Sequence, residues 1–183
     1  MQIQYNAPLI LNFSIACTAI AIFNYITADI FLTLFTLPGQ FHFLNPLHYL
    51  NLFSYIFGHA GFGHLMANLT FLLLLGPALE EKYGKKKLSQ IIIITAIVTA
   101  VAHIIFFDNG LLGASGIVFL FIILSSFTNV KEGSIPLTFI LIAFLFIGKE
   151  IIQAFESDNV SQFAHIAGGI IGALFGLRIW KVS

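Results

Sequence analysis

The chain carries very little charge. Its 183 residues include 8 lysines and arginines and 8 aspartates and glutamates, so 9% are charged and the formal net charge is zero. A soluble globular domain usually has about 25% charged residues. So little charge cannot cover the core of a chain that is 58% hydrophobic, with a mean hydropathy of +0.98, and its solvent is therefore expected to be lipid. The lack of a basic excess argues against nucleic acid as a partner.

Cysteine is almost absent as well. Cys17 is the single cysteine, which excludes an intrachain disulfide and disfavours a cysteine-ligated metal site. A His-Glu-x-x-His zinc motif is missing, because His64 is followed four residues later by Asn68. We therefore expect no metal and no other cofactor. An aspartyl protease that works within a membrane needs two carboxylates that face each other at mid-membrane. This chain does not fit that class, because its carboxylates occur only in loops or at the ends of apolar segments. They are Asp29, Glu80, Glu81, Asp108, Glu132, Glu150, Glu156 and Asp158.

Long apolar runs make up most of the sequence. Segments of about 17–25 mostly apolar residues are suited to cross a bilayer as helices. The pattern predicts an all-α polytopic membrane protein with six transmembrane helices, forming a single domain over residues 1–183. The predicted helices are residues 8–31, 62–80, 88–107, 113–129, 135–154 and 162–180. The apolar connection between the first two helices, about residues 37–61, is predicted to be re-entrant or to lie at the membrane interface.

Basic residues predict the orientation of the bundle. Seven of the eight fall on one side of the predicted helices, and only Lys149 falls towards the other. By the positive-inside rule, both termini are expected to be cytoplasmic, and the fourth and sixth helices then begin near the outer face. The seven residues are Lys82, Lys85, Lys86, Lys87, Lys131, Arg178 and Lys181.

A serine and a histidine occur at matching depth near that outer face. Ser115 lies near the start of the fourth predicted helix, where the unpaired amides and positive dipole of a helix start suit a developing oxyanion. His165 lies near the start of the sixth predicted helix, and an ionisable residue inside a membrane helix is a functional candidate by default. A hydrolase that works within a bilayer needs such a nucleophile and base. Helix packing by small residues and an interface histidine are the alternative interpretations.

Glycines flank both candidates. Gly113 and Gly116 allow the backbone to bend into the start of the fourth helix. Gly168 and Gly172, with Gly176 one turn later, repeat every four residues on the face that carries His165, which predicts a flat helix surface. If the neighbour of that surface is the fourth helix, His165 will reach the hydroxyl of Ser115.

Further polar residues lie on the second and third helices. His64 and Asn68 share one face of the second helix, where they either join helices by hydrogen bonds or donate to an oxyanion. His59, at the end of the preceding loop, is expected to support that site. His103, near the outer end of the third helix, is interpreted as a packing or interface residue.

These segments, in this order and spacing, resemble the rhomboid family of intramembrane serine proteases. Residues 58–68 resemble the second-helix signature of the family, and residues 76–84 resemble its cytoplasmic exit. Residues 113–116 and 164–168 resemble its nucleophile and base motifs, and the whole resemblance runs from about Leu52 to Gly176.

The resemblance implies a six-helix rhomboid bundle that cleaves transmembrane segments of membrane proteins with a Ser115–His165 dyad. His64, Asn68 and the backbone amide of Ser115 would hold the oxyanion, and the fifth helix with the loop after it would gate substrate entry. Phe119 stands where many members have a tyrosine that packs against the catalytic histidine. The resemblance also implies that the first loop lies partly in the outer leaflet. Many members have a Trp-Arg pair in this loop, whereas the only tryptophan here is at position 180.

The implied location is a multi-pass position in the lipid bilayer, with the plasma membrane favoured and the active site opening outward. The alternative function is a rhomboid-like membrane protein that binds or chaperones transmembrane clients without cleaving them. Such relatives typically lose the serine or the histidine, and this chain has both Ser115 and His165.

Overall fold

The structure, a computed structural model, describes residues 3–127, 135, 137–142, 144, 145 and 162–180. Within these residues the regular structure is helical and contains no strand, which confirms the all-α prediction there. Residues 137–142, 144 and 145 are helical, and short 3₁₀ turns occupy Leu32–Phe35 and Tyr55–Phe57. The other helices are α1 (Pro8–Ile26), α2 (Pro46–Ser54), α3 (Phe62–Tyr83), α4 (Lys85–Phe106), α5 (Ser115–Ser125) and α6 (Gln162–Trp180).

Among the described helices, α1, α3 and α4 are long and apolar enough to cross a membrane. The apolar part of α6, Gln162–Leu177, and the 11-residue α5 are shorter. The predicted helix 135–154 falls mostly outside the described residues. The structure thus has three candidate membrane-spanning helices, and the count of six stays a prediction.

Several helix ends differ from the prediction. Helix α1 ends at Ile26 rather than at residue 31, because Ala28 and Asp29 adopt positive φ angles of 50° and 62° that a right-handed helix cannot contain. Helices α3 and α4 are separated only by Gly84, whose φ of +74° suits glycine. The lysines on either side of Gly84 therefore lie in helical turns rather than in a loop. Hydropathy does not detect polar helix ends that extend beyond the apolar segment.

Helix α3 supplies a cap for the start of α1. The buried carboxylate of Glu80 accepts hydrogen bonds from the backbone amides of Leu9, at 3.0 Å, and Ile10, at 3.1 Å. These amides lie in the first turn of α1, where they lack partners within the helix and where the helix dipole favours a negative charge. The side chain of Ile10 packs directly onto the backbone of α3 at Gly76. Together these contacts fix where α1 enters the bundle.

Changing Glu80→Gln is expected to destabilise the protein by about 1–3 kcal/mol, because a neutral amide accepts these two bonds less strongly and does not complement the dipole. Thermal unfolding in detergent measures the change. Glu81→Gln is the matched control, since Glu81 is exposed on the same turn. Equal melting temperatures for the two variants would contradict the capping role.

Helix α5 lies at the centre of the fold. Its buried residues lie all around the helix: Gly116, Ile117, Val118, Leu120, Phe121, Ile123 and Leu124. Beyond its C-terminal end, the Lys82 ammonium of α3 donates a 2.6 Å hydrogen bond to the carbonyl oxygen of Phe127. A central helix held at both ends gives a rigid support for residues at its start.

The glycine surface of α6 packs against α5. A Cβ atom at Gly168 would collide with the carbonyl oxygen of Gly116, and one at Gly172 would lie 2.9 Å from the carbonyl oxygen of Leu120. The backbones of the two helices therefore touch, which only residues without side chains allow. The neighbour of the glycine surface is thus the helix that begins with Ser115.

The connection from α1 to α3 contains α2 and is tied to itself by hydrogen bonds. The Asn51 amide donates to the carbonyl oxygens of Thr33 and Thr36, and the Ser54 hydroxyl donates to that of Leu34. The placement of this connection at the membrane interface stays a prediction. Large apolar side chains are exposed along it: Phe43, Leu44, Tyr49 and Leu50.

Candidate active site

The loop of residues 107–114 connects the end of α4 to the start of α5. Leu111 exchanges two backbone hydrogen bonds with Leu37 of the first connection, at 2.8 and 3.0 Å. The amide of Gly113 donates to the carbonyl oxygen of Tyr55, at 2.9 Å. Gly113 has a φ of +122°, which L-residues with side chains rarely adopt, so this turn requires glycine. The loop is thus held to other elements immediately before Ser115.

Ser115 is the first residue of α5 and is half-buried. The amides of Ile117 and Val118 both donate to the carbonyl oxygen of Ala114, at 2.9 Å, which closes the first turn. The amide of Ser115 lies before that turn, at the positive end of the helix dipole. The hydroxyl and this amide therefore stand at the same helix end.

His165 lies on α6 opposite this first part of α5. Its side chain is buried, and its ring packs on that of Phe119 with centroids 4.3 Å apart. One residue earlier, the carbonyl oxygen of Ala164 would lie 3.2 Å from a Cβ atom at Gly116. The structure thus brings together the backbone around Ser115 and the backbone around His165. The hydrogen bond between their side chains stays a prediction.

His64 and Asn68 lie four residues apart on α3, on the same face of that helix. The His64 ring lies against the backbone of Gly113, where a Cβ atom would be only 2.7 Å from Cε1. One turn later, Asn68 is buried, and its Nδ2 has no hydrogen-bond partner within the described part of the chain. A buried N–H group without a partner costs free energy. It is therefore a donor available to a bound oxygen atom.

His59 lies next to His64, with ring centroids 5.0 Å apart. Its Nδ1 donates to the carbonyl oxygen of Phe57 at 3.1 Å. Burial, with a smaller contribution from the charge of His64, lowers the pKa of His59 from 6.5 to about 4, although the bond to Phe57 acts in the opposite direction. His59 is therefore neutral near pH 7 and supports His64 by ring packing.

This lowered pKa predicts a loss of stability in mild acid. Because unfolded His59 binds a proton below about pH 6.5 and the folded residue does so only near its pKa of about 4, acidification favours the unfolded state. The expected loss between these pH values approaches about 3 kcal/mol. Melting temperatures in detergent as a function of pH measure it, and His59→Gln should melt with a shallower pH dependence than wild type. Parallel pH curves for the two proteins would contradict the assignment.

A family model described as the Rhomboid domain matches residues 46–182, about three quarters of the chain. The chain belongs to the rhomboid family. The family predicted from the motifs is thereby confirmed, and its helices make this rhomboid a membrane protein.

Two curated relatives are similar to this rhomboid. Rhomboid-related protein 1 of Caenorhabditis elegans is 32% identical over 154 residues, which cover 77% of this chain and 43% of the relative. RHOMBOID-like protein 12, mitochondrial, of Arabidopsis thaliana is 26% identical over 150 residues, 68% of this chain and 45% of the relative. The chain thus spans less than half the length of these relatives.

Two residues hold the loop of this rhomboid in a way that the sequence did not reveal: Tyr55 was not singled out, and His103 was interpreted only as a packing or interface residue. Tyr55 binds the amide of Gly113 through its carbonyl oxygen, and its hydroxyl donates to the carbonyl oxygen of Ala96 on α4 at 3.1 Å. His103 of α4 binds the carbonyl oxygen of Asn109. A pattern pointed to His103: it shares one buried face of α4 with polar residues one and two turns earlier, Thr99 and Thr95.

Proposed function

We propose that this rhomboid is an intramembrane serine endopeptidase that cleaves transmembrane segments of membrane proteins with a Ser115–His165 dyad. The observation that carries the proposal is the close contact between the start of α5 and the start of α6. The Phe119 and His165 rings are 4.3 Å apart, one turn after Ser115, and the two backbones touch at Gly168. A nucleophile and a base that act as a pair need such proximity.

In the proposed reaction, neutral His165 takes the hydroxyl proton of Ser115 as its oxygen attacks the scissile carbonyl. The tetrahedral intermediate collapses, and His165 passes the proton to the leaving amine. Water then attacks the acyl-enzyme and gives a proton to His165, which returns it to the released oxygen of Ser115. The products are a free carboxyl group, a free amine and the original enzyme.

Oxyanion stabilisation is proposed for the amide of Ser115, the side chain of His64 and the side chain of Asn68. The available Nδ2 donor of Asn68 supports this role, as does the position of His64 beside the loop that precedes the nucleophile. One such donor contributes about 3–4 kcal/mol to the transition state. Neither α5 nor α6, among the residues described, contains a carboxylate to orient His165, so the proposed machinery is a dyad in which ring packing by Phe119 restrains the base.

The finer membrane arrangement is part of the proposal. We place six spans in one domain, with both termini in the cytoplasm and the site opening to the outer side of the plasma membrane. The lysines around Gly84 support this orientation, because they cluster at one end of α3 and α4, opposite the end that carries His64 and His103. Transmembrane proteins are then the substrates, and the bilayer brings them to the site laterally.

The test uses the purified full chain in detergent or bicelles, with a fluorophosphonate probe and a fluorescent single-span substrate. We expect one labelled peptide, modified at Ser115, and cleavage of the substrate that the probe abolishes. Ser126→Ala is the matched control, because Ser126 lies at the other end of α5 and should leave both results unchanged. A folded wild-type protein that neither reacts nor cleaves would overturn the proposal and favour client binding.

A further inference from the structure

His103 is a buried histidine on α4, only 1% exposed, that the proposed reaction does not use. Its Nε2 lies 2.9 Å from the carbonyl oxygen of Asn109, in the loop that leads to Ser115. A carbonyl oxygen only accepts, so Nε2 is the donor of this bond, and the second ring nitrogen is Nδ1. That Nδ1 is buried without a hydrogen-bond partner in the described part of the chain. An unpaired polar atom of this kind costs free energy that an apolar side chain of similar size would avoid. Packing alone therefore does not account for a histidine here.

The same ring also contacts the loop start and approaches α6. It stacks on Phe107 with centroids 5.1 Å apart and ring planes 19° apart. It lies 6.3 Å from the ring of Phe163, two residues before His165, and Phe107 and Phe163 are themselves 5.0 Å apart. His103 thus contacts the loop that precedes Ser115 and approaches Phe163, which precedes His165 on α6.

The loop is held at alternate residues. His103 binds Asn109, Leu37 binds Leu111, and Tyr55 binds Gly113. The second and third contacts join backbone to backbone, so a change of side chain other than to proline leaves their donors and acceptors in place. The bond from His103 comes from a side chain, so a substitution can remove it. This bond holds the loop at Asn109, which is exposed.

We propose that His103 is a positioning residue that fixes the 107–114 loop, and through it Ser115, relative to His165. The catalytic part of this inference rests on the proposed function, whereas the restraint on the loop does not. The side chain acts through the carbonyl oxygen of Asn109 and through the stacked ring of Phe107, so this role requires no contact with the substrate or the reacting atoms.

Three substitutions separate the hydrogen bond from the packing. His103→Phe keeps an aromatic ring on Phe107 and removes the donor. His103→Gln places an amide N–H near the position of Nε2, whereas the shorter His103→Asn does not reach Asn109. Ile105→Ala is the matched control, because Ile105 is exposed on the same turn of α4.

The kinetic readouts are kcat, KM and the rate of fluorophosphonate labelling. Displacement of a reacting group by about 1 Å costs on the order of 100-fold in rate. We expect the Phe and Asn variants to lose between about tenfold and 100-fold in kcat and in labelling rate, with KM nearly unchanged. The Gln variant should recover most of the loss, and Ile105→Ala should match wild type. An equal loss in the Gln and Asn variants, or wild-type kcat in the Phe variant, would overturn the inference.

Hydrogen exchange gives a readout that is independent of catalysis. Amides of the 107–114 loop should exchange at least about fivefold faster in the Phe and Asn variants than in wild type, and at nearly the wild-type rate in the Gln variant. If wild type proves inert towards the probe, the proposed function fails while the exchange data still decide the restraint. If the Phe variant does not fold, the comparison of Gln with Asn decides it. Unchanged exchange in all folded variants would overturn the inference.

Discussion

Changing Ser115→Ala or His165→Ala is expected to abolish proteolysis, and changing both is expected to cost no more than changing either. In serine proteases, loss of the nucleophile or the base alone lowers kcat by about 10⁶-fold, nearly as much as loss of the whole set. The reason is that the two residues perform one proton transfer and attack together. Single and double variants should therefore share one residual rate, set by substrate binding and the oxyanion donors.

The measurement is single-turnover cleavage of the fluorescent transmembrane substrate by the two single variants and the double variant. Circular dichroism and melting temperature in detergent verify that each variant is folded. Losses that multiply in the double variant would mean that Ser115 and His165 act independently, and the dyad would then be wrong. Turnover by Ser115→Ala near the wild-type rate would place the nucleophile elsewhere.

The helical fold could be predicted because its cause is local. The lengths of the apolar segments and the positions of the lysines can be read directly from the sequence. The starts of α1, α3 and α6 agree with the predicted ones. The ends could not be predicted equally well. The single-residue connection at Gly84 and the left-handed Ala28–Asp29 turn depend on backbone conformation, which hydropathy does not detect.

The site was predictable only in part, because its contacts join residues that are distant in the sequence. Period-four glycines predicted a flat surface on α6, but only the structure identifies α5 as its neighbour. Glu80 looked like a residue at the end of an apolar segment, yet it binds amides some seventy residues earlier in the chain. His103 similarly acts through the carbonyl oxygen of Asn109, an acceptor that every residue has. The backbone partners of such side chains cannot be identified from the sequence, because every residue has a carbonyl oxygen and nearly every residue has an amide N–H.

Changing Gly168→Ala is expected to damage both fold and activity, because the added methyl group meets backbone rather than a movable side chain. A Cβ atom there would collide with the carbonyl oxygen of Gly116, inside the first turn of α5. Relief requires the two helices to separate, which costs about 1–3 kcal/mol or more in a packed core. The separation also moves His165, one turn earlier on α6, away from Ser115. We therefore expect on the order of a 100-fold loss of kcat, even in the protein that remains folded.

Two other glycines provide graded controls for Gly168→Ala. A methyl group at Gly176 would lie 2.5 Å from the ring of Phe127, which can turn aside, so Gly176→Ala should lower the melting temperature less and nearly preserve kcat. At Gly63, in the first turn of α3, a Cβ atom meets nothing within 4 Å, and alanine should be neutral or stabilising by about 0.5–1 kcal/mol. Melting temperature and kcat for the three variants should follow the order 168, 176, 63 from most to least damaged. Equal damage at 168 and 176 would mean that α5 can move away from α6 as easily as a side chain turns, and the rigid backbone contact that holds Ser115 near His165 would then be wrong.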